Sequence, residues 1–236
     1  MFYNFDNDPG RGFVKICGVT NLGDAKLCAE LGADAVGILV LQPGAARKPN
    51  SVRLARREAA ALANALPDGL QSVLLVHETE PDAILDLASV IRPRALQIQH
   101  PVDANILLRV KECFPELSII KTFRVGDGAA FDALERDIQH HIDDNAIDAI
   151  LLDSDKGGSG KVHDWELSRR LVTRFAGMPT ILAGGLNAEN VAAAGHTVRP
   201  YGVDVMSGVA SSERKDRKDP DKLRAFINAW QGSSKR

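Results

Sequence analysis

The sequence predicts an α/β fold, a single-domain (β/α)8 TIM barrel with parallel strands that spans residues 13–232. Eight short runs rich in apolar and β-branched residues alternate with longer amphipathic segments, which is the pattern of strand–helix units around a parallel sheet. The 236 residues are close to the ~250 that such a barrel commonly uses as one domain. The first run lacks the G-x-G-x-x-G that a doubly wound dinucleotide-binding sheet would place after it.

Several of the eight runs are continuously apolar, as expected for strands buried on both faces of a parallel sheet. In chain order, the predicted strands are residues 13–18, 34–41, 71–78, 94–100, 118–125, 147–154, 179–185 and 202–208.

Each predicted strand is followed by a segment whose apolar spacing favours an amphipathic helix. The second of these segments opens with Ser51, a residue suited to cap a helix, and Gly or Pro marks the end of several others. The predicted helices are residues 21–32, 51–66, 80–91, 103–114, 129–142, 164–175, 187–195 and 219–230.

Composition and charge limit the partners and the cellular locations that the sequence supports. A net charge of −2 and a pI near 6.3 argue against nucleic acid or a membrane surface as a partner. Three widely spaced cysteines are typical of a reducing compartment, and residues 1–12, expected to be a short N-terminal extension, lack the apolar core of a signal peptide. No apolar run is long enough to span a membrane. We therefore expect a cytoplasmic protein.

The stretch "GGSGK" at 157–161 is not a nucleotide-binding P-loop. That motif needs a glycine five residues before the Gly-Lys pair and Ser or Thr after the lysine. This chain has Asp155 and Val162 at those two positions, so the magnesium-binding hydroxyl is missing. The glycine-rich segment is instead expected to be a loop after the sixth strand, close to a ligand.

In a barrel of this kind the chemistry lies where the strands end and the following loops begin. Cys17 ends the first predicted strand, and Asp153 lies at the end of the sixth. A thiol that loses its proton can act as a general base. Glycine-rich loops follow the seventh and eighth strands, and such loops hold phosphate in many enzymes of this fold. The candidates for that site are Gly184, Gly185, Asn187, Ser207 and Gly208.

Six segments resemble the phosphoribosylanthranilate isomerase family of tryptophan biosynthesis, in the family's order and spacing. They are "VKICGVTNLGDA", "GADAVGILV", "LLDS…GGSGKVHDW", "ILAGGLNAENV", "YGVDVMSGV" and "KDPDKLRAFI". The resemblance runs from about residue 13 to 230. It implies an Amadori rearrangement of N-(5′-phosphoribosyl)anthranilate, a small phosphosugar, by a monomer or homodimer without metal or cofactor.

The resemblance also implies roles for particular residues. Cys17 is the expected general base, and Asp153 the general acid, with Asp155 as a neighbour that could raise its pKa. Arg47 is the expected clamp on the anthranilate carboxylate, because a guanidinium fork suits a planar carboxylate. The expected substrate-binding residues are Arg47, Gly184, Gly185, Asn187, Asp204, Ser207 and Gly208.

Three segments depart from the family pattern. Gln99 stands where the family usually has His, and His100 lies beside it. The turn after the second strand keeps Arg47 but loses its usual neighbours. Met206 and Ala210 replace the residues that the family usually has in the loop after the eighth strand. Three alternatives therefore remain: a paralogue with another ligand, another phosphosugar enzyme, and a non-catalytic phosphate-binding barrel. The isomerase requires that Cys17 and Asp153 face one cavity that Met206 does not fill.

Overall fold

The computed structural model describes residues 12–126, 130–154 and 163–234. Eight parallel strands form one sheet, and the first strand pairs with both the second and the last. The sheet is therefore closed, which confirms the predicted (β/α)8 barrel. The strands are β1 Phe13–Cys17, β2 Ala35–Val40, β3 Gln71–Val76, β4 Ala95–Ile98, β5 Ser118–Val125, β6 Ala149–Ser154, β7 Thr180–Leu182 and β8 Gly202–Val205.

Eight α-helices surround the barrel in the described ranges, one after each strand. They are α1 Leu22–Glu30, α2 Arg56–Asn64, α3 Pro81–Ile91, α4 Ala104–Cys113, α5 Phe131–Asp143, α6 Trp165–Arg174, α7 Val191–Val198 and α8 Pro220–Ser234. Side chains of Asn21, Asp103 and Asp164 accept backbone N–H bonds at the starts of α1, α4 and α6. Such N-caps satisfy N–H groups that the helix leaves unpaired.

The start of the second helix differs from the prediction that Ser51 caps it. Arg53 and Leu54 form a two-residue strand beside the end of β2 instead, so α2 begins at Arg56. The Ser51 hydroxyl accepts from the Arg53 N–H, and the Glu58 carboxylate accepts from the N–H of Ala55 at the helix start. The strand pairing satisfies backbone groups that a longer helix would have paired internally.

Alternate strand residues fill the barrel interior in successive layers. The layer near the amino ends of the strands is apolar and includes Phe13, Ala95, Ile120 and Ala149. Two residues further along β1, β4 and β5 stand buried Lys15, Gln97 and Thr122. The next step along these strands reaches Cys17, Gln99 and Arg124, so polar groups lead upward from an apolar base to the carboxyl ends of the strands.

A second and larger apolar core lies between the strands and the helices. Phe226 and Trp230 of α8 are buried in it. None of the helices in the described ranges has the length and apolar character that a membrane span needs. The expected boundary between an extension and the barrel at residues 12 and 13 stays a prediction, because residues 1–11 lie outside the described ranges.

Candidate active site

A cavity of about 190 Å³ opens at the carboxyl ends of the strands, and we call it the mouth cavity. All eight strands, or the loops that follow them, contribute to its lining. Cys17 and Asp153, the predicted base and acid, both line it, which meets the geometric requirement set by the sequence. The other ionisable or amide side chains in the lining are Arg53, His77, Gln97, Gln99, Arg124 and Asp204.

Cys17 ends β1 and is only 4% exposed. Gly37 on the neighbouring strand makes this position possible, because a Cβ there would lie 2.8 Å from the Cys17 sulfur. Burial raises the pKa of the Cys17 thiol to about 11, while the nearby ammonium groups of Lys15 and Lys218 act in the opposite direction. Lys218 also donates to the Cys17 carbonyl. The two lysines therefore stabilise the thiolate that a general base requires.

A buried ion pair lies beneath Cys17. The Lys15 ammonium is 2.9 Å from Asp204 Oδ1, and the lysine side chain is fully buried. Lys15 on β1 and Asp204 on β8 are register partners in adjacent strands, so pairing them needs no long side-chain reach. Because Asp204 also lines the mouth cavity, this pair connects the barrel interior to the site.

Asp153 is held by two hydrogen bonds. Its Oδ1 accepts from the backbone N–H of Ser154 at 2.8 Å, and its Oδ2 accepts from Arg124 Nη1 at 2.7 Å. Burial raises the pKa of the Asp153 carboxyl, Arg124 opposes that rise, and Asp204 adds to it. The expected contribution of Asp155 lies outside the described residues. The raised pKa favours the protonated form that a general acid needs.

Gly184, Gly185 and Ser207 line the mouth cavity as expected for the anion site. Gly184 has φ +84°, and a Cβ there would lie 2.7 Å from the Ser154 nitrogen, so a side chain would displace the end of β6. The backbone N–H groups of Gly184 and Gly185 donate to no acceptor among the described residues. Unpaired N–H groups beside a cavity can bind an oxyanion.

Asn187 and Gly208 stand behind this loop pair and are not part of the cavity lining. The Asn187 side chain accepts from the N–H groups of Glu189 and Asn190, so it shapes the turn that leads into α7. Gly208 packs against the loop after β7, because a Cβ at this position would lie 2.1 Å from the Leu186 carbonyl oxygen. Asn187 therefore shapes the loop after β7, and Gly208 allows the loop after β8 to pack closely against it.

The structure does not bring Arg47 into the mouth cavity. Its guanidinium is exposed and pairs with Glu58 at 3.0 Å on the outer surface. Arg53 lines the cavity instead, and its guanidinium donates to the Val40 carbonyl at 3.1 Å. The turn after β2 explains the difference: it continues past Arg47 and returns to the barrel only at the two-residue strand that carries Arg53.

His77 and His100 form a short chain of ring contacts beside Arg53. Arg53 Nη2 lies 3.2 Å from His77 Nε2, and His77 Nδ1 lies 3.4 Å from His100 Nε2. Burial and the neighbouring Arg53 lower the pKa of His77 to about 4. The His77 ring is therefore neutral at pH 7, with Nε2 free to accept from the guanidinium of Arg53.

Met206 lines the mouth cavity without filling it. Its side chain packs over Gly18, where a Cβ would lie 3.2 Å from the Met206 sulfur. The second geometric requirement is therefore also met. Within the described ranges, no group of three His, Cys, Asp or Glu side chains is arranged to hold a metal ion.

Sequence reasoning missed Lys15, Arg53 and Arg124. Lys15 carries a usable signal, because its charge interrupts an otherwise apolar strand two residues from another inward-facing position. Arg124 carries none, because Lys121 and Thr122 also make its strand polar. Arg53 has no such signal, since the sequence around it was assigned to a helix.

The chain matches the N-(5'phosphoribosyl)anthranilate (PRA) isomerase family model over residues 14–229. It is 38% identical over 222 residues to the N-(5'-phosphoribosyl)anthranilate isomerase of Methanocella arvoryzae, which covers 91% of this chain and 95% of that relative.

Two solved structures have the same architecture as this chain. One is phosphoribosyl anthranilate isomerase in complex with reduced 1-(o-carboxyphenylamino)-1-deoxyribulose 5-phosphate, with 33% identity, a TM-score of 0.72, and coverage of 94% of this chain and 99% of that one. The other contains monomers generated from the dimeric isomerase of Thermotoga maritima, with 32% identity, a TM-score of 0.72 and the same coverage.

The Lys15–Asp204 pair generates a stability prediction. Lys15→Met leaves the Asp204 carboxylate buried without its cation, and we expect the free energy of unfolding to fall by about 3–5 kcal/mol. Urea denaturation followed by circular dichroism at pH 7.5 measures this. The control is Lys48→Met in the exposed turn after β2, which should stay within about 0.5 kcal/mol of the unmodified chain. Equal stability of the Lys15 variant and the unmodified chain would contradict the prediction.

Proposed function

The chain belongs to the N-(5′-phosphoribosyl)anthranilate isomerase family, and we propose that Cys17 and Asp153 carry out its proton transfers. The enzyme is an isomerase of tryptophan biosynthesis that converts N-(5′-phosphoribosyl)anthranilate into 1-(2-carboxyphenylamino)-1-deoxyribulose 5-phosphate. The observation that carries the assignment of roles is that the Cys17 thiol and the Asp153 carboxyl line the same cavity. They come from β1 and β6, which are separated by β8 and β7 around the barrel.

In the first step, protonated Asp153 gives its proton to the ring oxygen of the ribose. The bond between that oxygen and C1′ breaks, and the aniline nitrogen supplies the electron pair for the new C=N bond. The products are a protonated Schiff base and the Asp153 carboxylate. The raised pKa of Asp153 supports this role, since a larger fraction of the carboxyl then holds the proton near neutral pH.

In the second step, the Cys17 thiolate removes the proton from C2′ and an enolamine forms. The cationic Schiff base withdraws electrons from C2′ and makes that proton more acidic. Transfer of a proton to C1′ and loss of the hydroxyl proton then give the ketone. Lys15 and Lys218 support the role of Cys17, because their charges favour the thiolate against the effect of burial.

Two anion-binding regions position the substrate between the acid and the base. We assign the phosphate to Gly184, Gly185 and Ser207, which line the cavity, because the backbone N–H groups of the two glycines donate to no acceptor among the described residues. We assign the anthranilate carboxylate to Arg53, because its guanidinium lines the same cavity on the β2 side. Fixing the substrate at both ends brings the reacting atoms close to both catalytic groups.

A phosphate-binding barrel without catalysis would have no need for a buried thiol and a carboxyl of raised pKa in one cavity. That pair therefore favours the enzyme over the binding protein. A cytoplasmic location and a state of monomer or homodimer stay predictions. The Thermotoga maritima relative, whose unaltered enzyme is described as dimeric, supports the second of these two states.

Removal of either catalytic group should abolish most of the activity. We expect Cys17→Ala and Asp153→Asn each to lower kcat at least ~100-fold, as loss of a general acid or base does. The measurement is a fluorescence assay with freshly made phosphoribosylanthranilate, together with circular dichroism to verify folding. Cys113→Ala and Asp221→Asn, both at exposed positions, serve as matched controls with unchanged turnover. Near-normal turnover in either cavity variant would rule out its assigned role.

The two arginines should behave differently towards the substrate. Arg53→Ala should raise KM about 10- to 100-fold, because one charge-assisted contact to a carboxylate contributes roughly 1.5–3 kcal/mol. Arg47→Ala removes only an exposed surface pair and should change KM less than about twofold. Steady-state kinetics on both variants measures this difference. A larger KM effect at Arg47 would return the clamp to the residue expected from sequence.

The pKa values of the two groups predict an unusual pH profile. The active form has Asp153 protonated and Cys17 deprotonated, although the pKa of Cys17, about 11, exceeds that of Asp153. Between the two pKa values, a rise in pH gains thiolate and loses protonated acid in equal proportion. We therefore expect kcat/KM to vary less than about threefold between the top of its acidic limb and about pH 9.5. An alkaline limb with an apparent pKa between 7.5 and 9 would contradict this.

A further inference from the structure

A chain of hydrogen bonds across three neighbouring strands leads to Asp153. Gln99, after β4, accepts from Arg124 Nη2 on β5 through its Oε1 atom at 3.0 Å. The other guanidinium nitrogen, Nη1, donates to Asp153 Oδ2 at 2.7 Å and to the Ser154 carbonyl at 3.1 Å. One guanidinium is thus fixed by acceptors on both sides, and all three side chains line the mouth cavity.

We propose that Arg124, fixed by Gln99, is a positioning residue that orients the Asp153 carboxyl and stabilises its charge after the proton has left. The inference rests on the proposed function, because it assumes that Asp153 is the general acid. It goes beyond that function by assigning roles to Arg124 and Gln99, which are not part of the acid–base pair.

The geometry of the carboxyl supports the orienting role. The Ser154 N–H and the Arg124 guanidinium bind different oxygens of Asp153, so the carboxyl plane is fixed by two contacts instead of one. Arg124 also binds the backbone carbonyl of Ser154, which couples the guanidinium to the strand that carries the acid. Rotation of the carboxyl would break both side-chain contacts.

The charges around Asp153 support the electrostatic role. Asp204 on β8 opposes ionisation of Asp153, while Lys15 on β1 is already paired with Asp204. Between β6 and α6, burial lowers the pKa of His163 to about 4, so that ring is neutral at pH 7. Cys17 on β1 is mostly protonated at this pH. Of the charged groups in the described residues, Arg124 is the one in hydrogen-bond contact with Asp153.

The reaction requires such a partner. When Asp153 transfers its proton to the ring oxygen, a neutral acid becomes a carboxylate in a partly buried site. A guanidinium already in contact stabilises that new charge without having to move. Arg124 therefore makes Asp153 a stronger acid, in opposition to burial, which keeps the proton bound.

The contact with Arg124 gives a role to Gln99, which stands where the family usually has His. A carboxamide oxygen is a pure acceptor and suits the guanidinium donor of Arg124. A protonated histidine at position 99 would place a second cation against Arg124. Gln99 and Arg124 therefore act as a pair across two neighbouring strands.

The test compares four variants by their kcat/KM profiles from pH 5 to 9: Arg124→Gln, Arg124→Lys, Gln99→Leu and, as a surface control, Arg109→Gln. We expect Arg124→Gln to lower kcat at pH 7.5 at least about tenfold with KM changed less than threefold. Its acidic limb should move to higher pH by roughly one unit or more, because loss of the cation raises the pKa of Asp153.

Arg124→Lys should recover most of the kcat loss, and Gln99→Leu should shift the limb in the same direction by a smaller amount. Arg109→Gln, which removes an exposed pair with Asp82, should leave the profile unchanged. An active wild-type enzyme whose acidic limb does not move in Arg124→Gln overturns this inference alone. A loss found only in KM, or no rescue by lysine, overturns it as well. An inactive wild-type chain overturns the proposed function itself.

Discussion

The two-residue alternation of side chains along closed parallel strands is the constraint on which the site depends. Positions 13, 15 and 17 of β1 all face the barrel interior, so an apolar base, a buried cation and a reactive thiol follow one another along a single strand. The same step on β6 leads from apolar Leu151 to Asp153. A shift of one residue in either strand would direct these groups toward the helices. The register of the apolar core therefore also aligns the acid with the base.

Opposing charges inside the barrel set the protonation states of both groups. Burial raises the pKa of both Cys17 and Asp153, because the thiolate and the carboxylate each lose contact with water. The protein offsets this with cations placed differently for each group. The charges of Lys15 and Lys218 lower the pKa of Cys17, while Arg124 donates a hydrogen bond directly to Asp153. A cation in contact has a stronger effect than one at a distance, so the hydrogen bond from Arg124 opposes the effect of burial on Asp153 directly.

The fold could be predicted from the sequence more completely than the site. All eight strands and eight helices lie where apolar periodicity placed them, because burial against the barrel enforces that periodicity. The exception is the turn after β2, where a two-residue pairing with Leu39 and Val40 replaced the expected helix start. Pairing of so few residues depends on tertiary contact and leaves no periodic signal. The same turn also separates the two arginines, since only the path of the chain shows that Arg53 lines the cavity while Arg47 pairs with Glu58 on the surface.

Side chains that act through other side chains are the part of a site that sequence reasoning finds last. Cys17 and Asp153 could be selected by their chemistry and by their positions at strand ends. Arg124 offered neither clue, because an arginine near the end of a strand is usually exposed to solvent. Its role follows only from three distances measured across β4, β5 and β6. The sequence alone therefore does not show what Gln99 does at a position where the family usually has histidine. The structure shows it, because the Gln99 side-chain oxygen accepts a hydrogen bond from Arg124 on the neighbouring strand.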